Sequence, residues 1–242
     1  MSKRPSIRTF FFCIMVFLCS GTLSASEPEK ANSLEQQVAG LWLYTGLITS
    51  SGKDLPLNGI FLFKDGAFLQ YADYKGEPIK DQGAMAHAGS YTIGKEFVHL
   101  AAEQTISTAP TKSPALISRG RTEHALAVKR SGNELTLVFS EGTGTIQIFE
   151  LVGPGNGEIY NLENGTLALV DDYFILVSDN ENGVDTGYGS YHRENDTITL
   201  NVTRWTQANE SAAGNLYDIS LKGTFDGQSL TLENGKSFQV TH

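Results

Sequence analysis

The sequence predicts an all-β protein made of two tandem antiparallel up-and-down β-barrel repeats. Three observations carry that reading. From residue 40 onward, short apolar runs are separated by turn dipeptides: Asn58-Gly59, Asp65-Gly66, Gly132-Asn133, Asn164-Gly165, Asn182-Gly183, Asp226-Gly227 and Asn234-Gly235. Such pairs accept the positive φ that two-residue hairpin turns require. Between them polarity alternates with the period of a half-buried strand, as in Ile198, Leu200 and Val202 against Thr199, Asn201 and Thr203. Finally, the chain repeats itself. Gly89-Ser90-Tyr91 returns as Gly189-Ser190-Tyr191, Gly132-x-x-Leu135-Thr136-Leu137 as Gly227-x-x-Leu230-Thr231-Leu232, and Ile146-Gln147-Ile148 as Phe238-Gln239-Val240, in order and at offsets of 100, 95 and 92.

The first segment reads as an address. Lys3, Arg4 and Arg8 precede an apolar run from Phe10 to Cys19, and small residues follow to Ser26. A basic head, a short apolar middle and a small-residue exit make a secretory signal over residues 1–25. The run is about half of the ~20 residues a spanning helix needs, so no membrane span is expected after cleavage. Cleavage would remove both cysteines and leave 15 basic against 27 acidic residues, a net charge of −12. The mature chain is then exported to periplasm or medium, free of disulfides and thiol chemistry. Its acidity argues against a nucleic-acid partner, because phosphates need clustered Lys and Arg. Residues 26–39 read as a polar leader and one short helix, Ser33–Val38, with Ser33 as cap and Gln36 as its partner.

Each half then holds about eight strands. They start near residues 41, 59, 67, 89, 96, 124, 134 and 145, and again near 157, 166, 173, 187, 197, 215, 229 and 236. Short links imply antiparallel neighbours, and eight of them can close into a barrel without exposed edges. Ile60–Phe63 and Tyr173–Val177 are apolar on both faces, which places them between packed layers. The expected domains are 40–152 and a shorter 153–242, the latter either a degenerate barrel or one sharing a wall with the first.

Gly40-Leu41-Trp42, at the start of the first strand behind a short helix, resembles the G-x-W signature of lipocalins. Gly59–Gly66, Ala88–Ile93, Glu96–Leu100 and the closing strands 124–130 and 134–139 extend the likeness to bacterial lipocalin-like (calycin-type) domains over residues 40–152. The resemblance implies a barrel that carries a small apolar ligand, and a basic side chain packed on the motif tryptophan. The last strand, Thr145–Leu151, has no basic residue, and the second half lacks G-x-W; its only tryptophan is Trp205.

The site residues expected on this basis are Trp42, Phe61, Phe63, Phe68, Tyr91 and Phe97 as apolar lining, with His99 and His124 as polar contacts. Segment 104–123 reads as a long loop over the barrel mouth. It and its flank hold Lys112, Arg119, Arg121, Lys129 and Arg130 within 19 residues, and Arg119 and Arg121 are expected to contact an anionic, fatty-acid-like ligand. The five histidines (His87, His99, His124, His192 and His242) show no metal-binding spacing, and no metal or other cofactor is expected. There is no nucleophile elbow. Asp171-Asp172 sits in a hairpin turn, and Ser178–Gly183 fails the calcium-loop register at Gly189. Two other readings stay open: a cavity-shaped isomerase or cyclase using His99, and a filled-barrel interaction module of the cell envelope with a protein partner of unknown identity.

Overall fold

The computed structural model describes residues 33–74, 83–139 and 144–241. The expected signal segment, most of the leader and His242 lie outside the described residues. A five-residue helix α1 (Leu34–Val38) opens the described chain. The Ser33 hydroxyl accepts from the Gln36 amide at 3.3 Å and the Gln36 side chain accepts from the Ser33 amide at 3.1 Å, so both orphan donors are met. Among the described residues no helix is long and apolar enough to cross a membrane.

The first sheet holds β1 (Gly40–Ile48), β2 (Asp54–Leu55), β3 (Leu57–Lys64), β4 (Ala67–Tyr74), β5 (Ala84–Ile93), β6 (Val98–Thr108), β7 (Leu116–Ser131), β8 (Glu134–Phe139) and β9 (Ile146–Gly153). From β3 to β9 each strand pairs with the next, β1 pairs with β3, and β1 pairs with β9 to close the barrel. The two-residue β2 is a side pairing on β1. The second sheet runs β10 (Gly157–Leu162), β11 (Gly165–Val170), β12 (Tyr173–Asn180), β13 (Gly183–Glu194), β14 (Thr197–Ala208), β15 (Ala213–Phe225), β16 (Ser229–Leu232) and β17 (Ser237–Gln239), in that order. It is nearly closed, by one bridge, Leu162 to Val240, flanked by amide bonds from Glu163 to the Gln239 carbonyl at 2.9 Å and from Thr241 to the Asn161 carbonyl at 2.8 Å. The chain is thus two tandem antiparallel barrels, one closed and one nearly so.

Three expectations need correction. The segment 104–123 is not a loop: β6 and β7 run through it, leaving 109–115 as the connection. Its Ser, Thr and Ala residues suit an extended ladder, and Pro110 and Pro114 fall outside that ladder. The barrels share no strand, so no wall is common to both. The third repeat pair is also out of register. Phe149 pairs with Leu135 as Phe238 pairs with Leu230, so Phe238 answers Phe149 rather than Ile146.

The first repeat pair is confirmed in detail. Both Gly-Ser-Tyr triplets lie on the fourth long strand of their barrels, and each marks a register shift, at Ala88/Gly89 and at Tyr188/Gly189. A side chain at Gly89 would sit 2.1 Å from the Ala101 carbonyl oxygen, and one at Gly189 2.1 Å from that of Asn201. Only glycine fits where the bulged neighbour presses in.

Three apolar cores result. One fills the first barrel around Trp42, Phe61, Phe63, Phe68, Leu126 and Phe149. Another fills the second around Leu167, Phe174, Trp205, Phe225 and Leu230. The third lies between barrels, where Leu41, Ile60, Leu62, Leu69 and Ile106 meet Ala168, Val170, Ile175 and Val177. This explains the two-faced runs Ile60–Phe63 and Tyr173–Val177: one face is barrel interior and the other is interface.

A polar knot sits inside that interface. Arg204 on β14 pairs with Asp73 on β4, both essentially fully buried. Arg204 also donates to the Gly83 carbonyl at 3.2 Å and to Asn215 Oδ1 at 3.2 Å. The Tyr71 ring packs at a tilt against Tyr188, 4.9 Å between centroids, and its hydroxyl lies 3.0 Å from Thr206 Oγ1. Removing one partner of a buried pair strands the other charge. Arg204→Met alone is expected to lower stability by about 3–5 kcal/mol, and Asp73→Leu added to it to recover most of the loss, read by denaturant unfolding.

Candidate functional site

One end of the first barrel is shut. It is the end at which β1 begins. Trp42 Nε1 donates to the Val38 carbonyl at 2.7 Å, which ties α1 across the opening. Arg130 lies over the Trp42 ring at 5.0 Å and donates to the Gln36 carbonyl at 3.1 Å. The basic residue on the motif tryptophan therefore exists, but β7 supplies it rather than the last strand. Above this plug, Phe61 stacks on Phe63 at 4.3 Å, Phe63 meets Tyr91 edge-on at 5.4 Å, and Phe61 meets Phe149 at 5.7 Å. Trp42, Phe61, Phe63, Phe68 and Tyr91 are thus brought together inside the barrel, buried against one another.

Toward the other end the interior turns polar. Tyr44 alternates with Trp42 on β1, Gln70 with Phe68 and Ala72 on β4, His124 with Leu126 on β7, and Gln147 with Phe149 on β9. His87 on β5 pairs across the ladders with Gln70 on one side and Thr105 on the other. Tyr44 donates to Gln147 Oε1 at 2.7 Å, and Gln70 Nε2 donates to the Tyr44 hydroxyl and, at 3.3 Å, to Gln147 Oε1. Thr105 and Thr122 share a bond of 2.7 Å. The His87 and His124 rings lie parallel, 5.9 Å apart, and Phe139 faces His124 edge-on at 5.4 Å.

This belt is incompletely satisfied. Both ring nitrogens of His87, Nε2 of His124 and Oε1 of Gln70 are buried and have no protein partner among the described residues. Each such group costs about 1–3 kcal/mol if left bare, and buried polar atoms in proteins are almost always partnered. Burial, helped by His124 close by, pushes the His87 imidazole down to about 3. Burial also lowers His124 and raises Tyr44 well above the usual phenol range. The belt is therefore uncharged at neutral pH. It presents hydrogen-bond donors and acceptors in an otherwise apolar barrel.

The other expected site residues lie elsewhere. His99 pairs with Ala125 while His124 pairs with Leu100, so the two histidines are on neighbouring strands but opposite faces. His99 is exposed outside the barrel, 6.4 Å from the Phe97 ring centroid. Arg119 crosses to the second barrel and donates to Asp179 Oδ2 at 2.7 Å. Arg121 lines an open cleft of about 560 Å³ between the barrels, with Glu103, Gln104 and Asn164. None of these four reaches the interior belt.

The second barrel is an internal control. Register pairs His87 with Thr105, and Gly187 with Trp205. It likewise matches Gln70 with Leu176 and His124 with Leu221. At the level of the belt the second barrel thus holds glycine, tryptophan and leucines. The Trp205 indole covers Gly187 so closely that a methyl there would lie 2.8 Å from its ring. Its Nε1 donates to Asp185 Oδ1 at 3.0 Å, and Lys236 Nζ donates to Asp185 Oδ2 at 2.7 Å. Here a large indole occupies the level of the belt, and its N–H and the Asp185 carboxylate are both partnered.

Sequence reasoning missed Tyr44, Gln70, His87, Thr105 and Gln147 as site residues. The signal was the repeat itself. Carrying the offset of 100 from Gly89 to its neighbours pairs His87 with Gly187 and Thr105 with Trp205. No family model matches the chain, and no curated protein or solved structure is significantly similar to it.

The depressed His87 value has a definite consequence for stability. The unfolded chain binds a proton on this ring near pH 6.5 and the folded chain only near 3. Stability is thus fully present above the unfolded value. It should fall by up to about 1.4 kcal/mol per pH unit as pH drops through that window. Denaturant midpoints measured across the window should show this slope, and His87→Phe should flatten it.

Proposed function

We propose that the chain is an exported lipocalin-like binding protein whose first barrel carries a small, mostly apolar ligand. The second barrel serves as a filled scaffold. The observation that carries this reading is the contrast between repeats. Where the second barrel is stoppered by Trp205, the first has Thr105, bonded to Thr122, and His87, whose two ring nitrogens no described residue meets. A ligand with an apolar body and one polar end would lie over the Phe61–Phe149 aromatic floor and present its polar end to the belt. Ligand sites commonly combine an apolar lining with a few placed polar groups. The arginine contacts expected from sequence have no place in this site, since Arg119 is engaged with Asp179 outside it.

Native mass spectrometry of protein from the exported fraction, followed by organic extraction, should find a reproducible small apolar guest. The direct test transplants the stopper. The pair Thr105→Trp and His87→Gly should fold, by circular dichroism, yet lose at least tenfold in affinity for a fluorescent apolar probe. Unchanged probe affinity in that folded variant would overturn the reading and favour a filled-barrel interaction module.

A further inference from the structure

We propose that the first barrel selects ligands whose polar end is an uncharged hydroxyl, as in an alcohol or an undissociated carboxylic acid, over the carboxylate or ammonium form of the same chain. This rests on the binding role proposed above and adds the chemistry of the head group.

The argument starts from what the belt can offer. A neutral imidazole has one N–H donor and one bare nitrogen acceptor. His87 has both nitrogens unpartnered, and Gln70 Oε1 adds a second acceptor beside it, on the directly opposed position of β4. A hydroxyl group donates once and accepts, so it can accept from the His87 N–H and donate to the Gln70 oxygen together. A carboxylate only accepts, which leaves the Gln70 oxygen and the bare His87 nitrogen facing its lone pairs. An ammonium only donates, which leaves the imidazole N–H groups unmet.

Charge is decided by what surrounds the belt. Tyr44 faces it from β1, Gln70 and Tyr74 from β4, His87 from β5, Thr105 from β6, and Gln147 from β9. Thr122 and His124 face it from β7, and Phe139 closes it from β8. None of these side chains is charged at neutral pH. Among the described residues the basic side chain that packs into this barrel, Arg130, is spent on Trp42 and Gln36 at the shut end. The pair Arg204–Asp73 lies outside the wall, neutralised within the interface. An unpaired ion placed at the belt would therefore be desolvated with no countercharge among the described residues, which proteins avoid strongly. A neutral hydroxyl loses little by comparison and gains two bonds.

Titration of the whole chain with decanol, decanoic acid and decylamine tests this, with displacement of a fluorescent apolar probe as the readout. Decanol should bind with an affinity that does not change between about pH 7.5 and about pH 9, above the range in which an imidazole takes a proton. Decanoic acid should weaken about tenfold for each pH unit, because only its protonated fraction is competent. Decylamine should bind at least tenfold more weakly than decanol across the range. His87→Phe, which keeps a ring and removes both nitrogens, should lose the preference for decanol over decane-like probes; if that variant fails to fold, His124→Phe should show the same loss in part. Decanoate binding that ignores pH, or decylamine matching decanol, would overturn the head-group inference while leaving the binding role intact. Failure of all three chains to displace the probe would overturn both.

Discussion

One extra residue in each of two strands governs most of what distinguishes this molecule. At Gly89 and at Gly189 the partner strand bulges by one position, at Glu103 and at Thr203. Side chains on a strand alternate between faces, so a one-residue slip exchanges inside for outside in everything that follows. Beyond the first bulge Thr105 turns into the barrel and Ile106 turns toward its neighbour. Beyond the second, Trp205 turns in and Arg204 turns out to meet Asp73. The stopper of one barrel, the polar belt of the other and the ionic knot between them all descend from that slip.

The two repeats follow one plan and differ in their interiors. Equivalent strands share their glycine, their turn positions and their bulge, so the backbones are built on one plan. The type of hairpin turn is kept even where residues changed: Asp65-Gly66 has φ of 49° and 79°, and Asp171-Asp172 has 45° and 64°. Asp171 gained a further task, accepting from the Gly155 and Asn156 amides at 2.6 and 3.0 Å and so anchoring the link between barrels. What diverged is the interior at one level. A large indole with satisfied polar partners makes a stable plug in one copy. Small and hydrogen-bonding side chains at the same level of the other leave atoms that no described residue meets.

Much of the architecture was legible from residue order. Alternation and the Asn-Gly and Asp-Gly pairs placed most strand starts within a few residues, but Asn58-Gly59 is not a turn: it lies inside β3, paired with Asp73 and Ala72, and the strand expected near 124 starts at 116. The doubly apolar runs at Ile60–Phe63 and Tyr173–Val177 announced a packed layer on each side. Ser33 and Gln36 announced the helix cap. The site was less legible, for physical reasons. Composition made 104–123 look like a loop because Ser, Thr and Ala serve coils and ladders equally well. A bulge has no composition of its own, so the parity of β6 and β14 was hidden. His99 and His124 were correctly placed on neighbouring strands, yet facing is a matter of odd and even separation, and their ladder partners put them on opposite sides. Arg119 and Arg121 looked like anion contacts because their charge stood out, whereas the described side chains of the belt carry none.

Nitrogen-15 magnetic resonance of the His87 side chain bears most directly on the idea that a guest completes the belt. At neutral pH its ring should show one protonated and one bare nitrogen, and adding decanol should shift both. A doubly protonated ring at neutral pH, or a ring whose signals stay fixed while decanol binds, would contradict it.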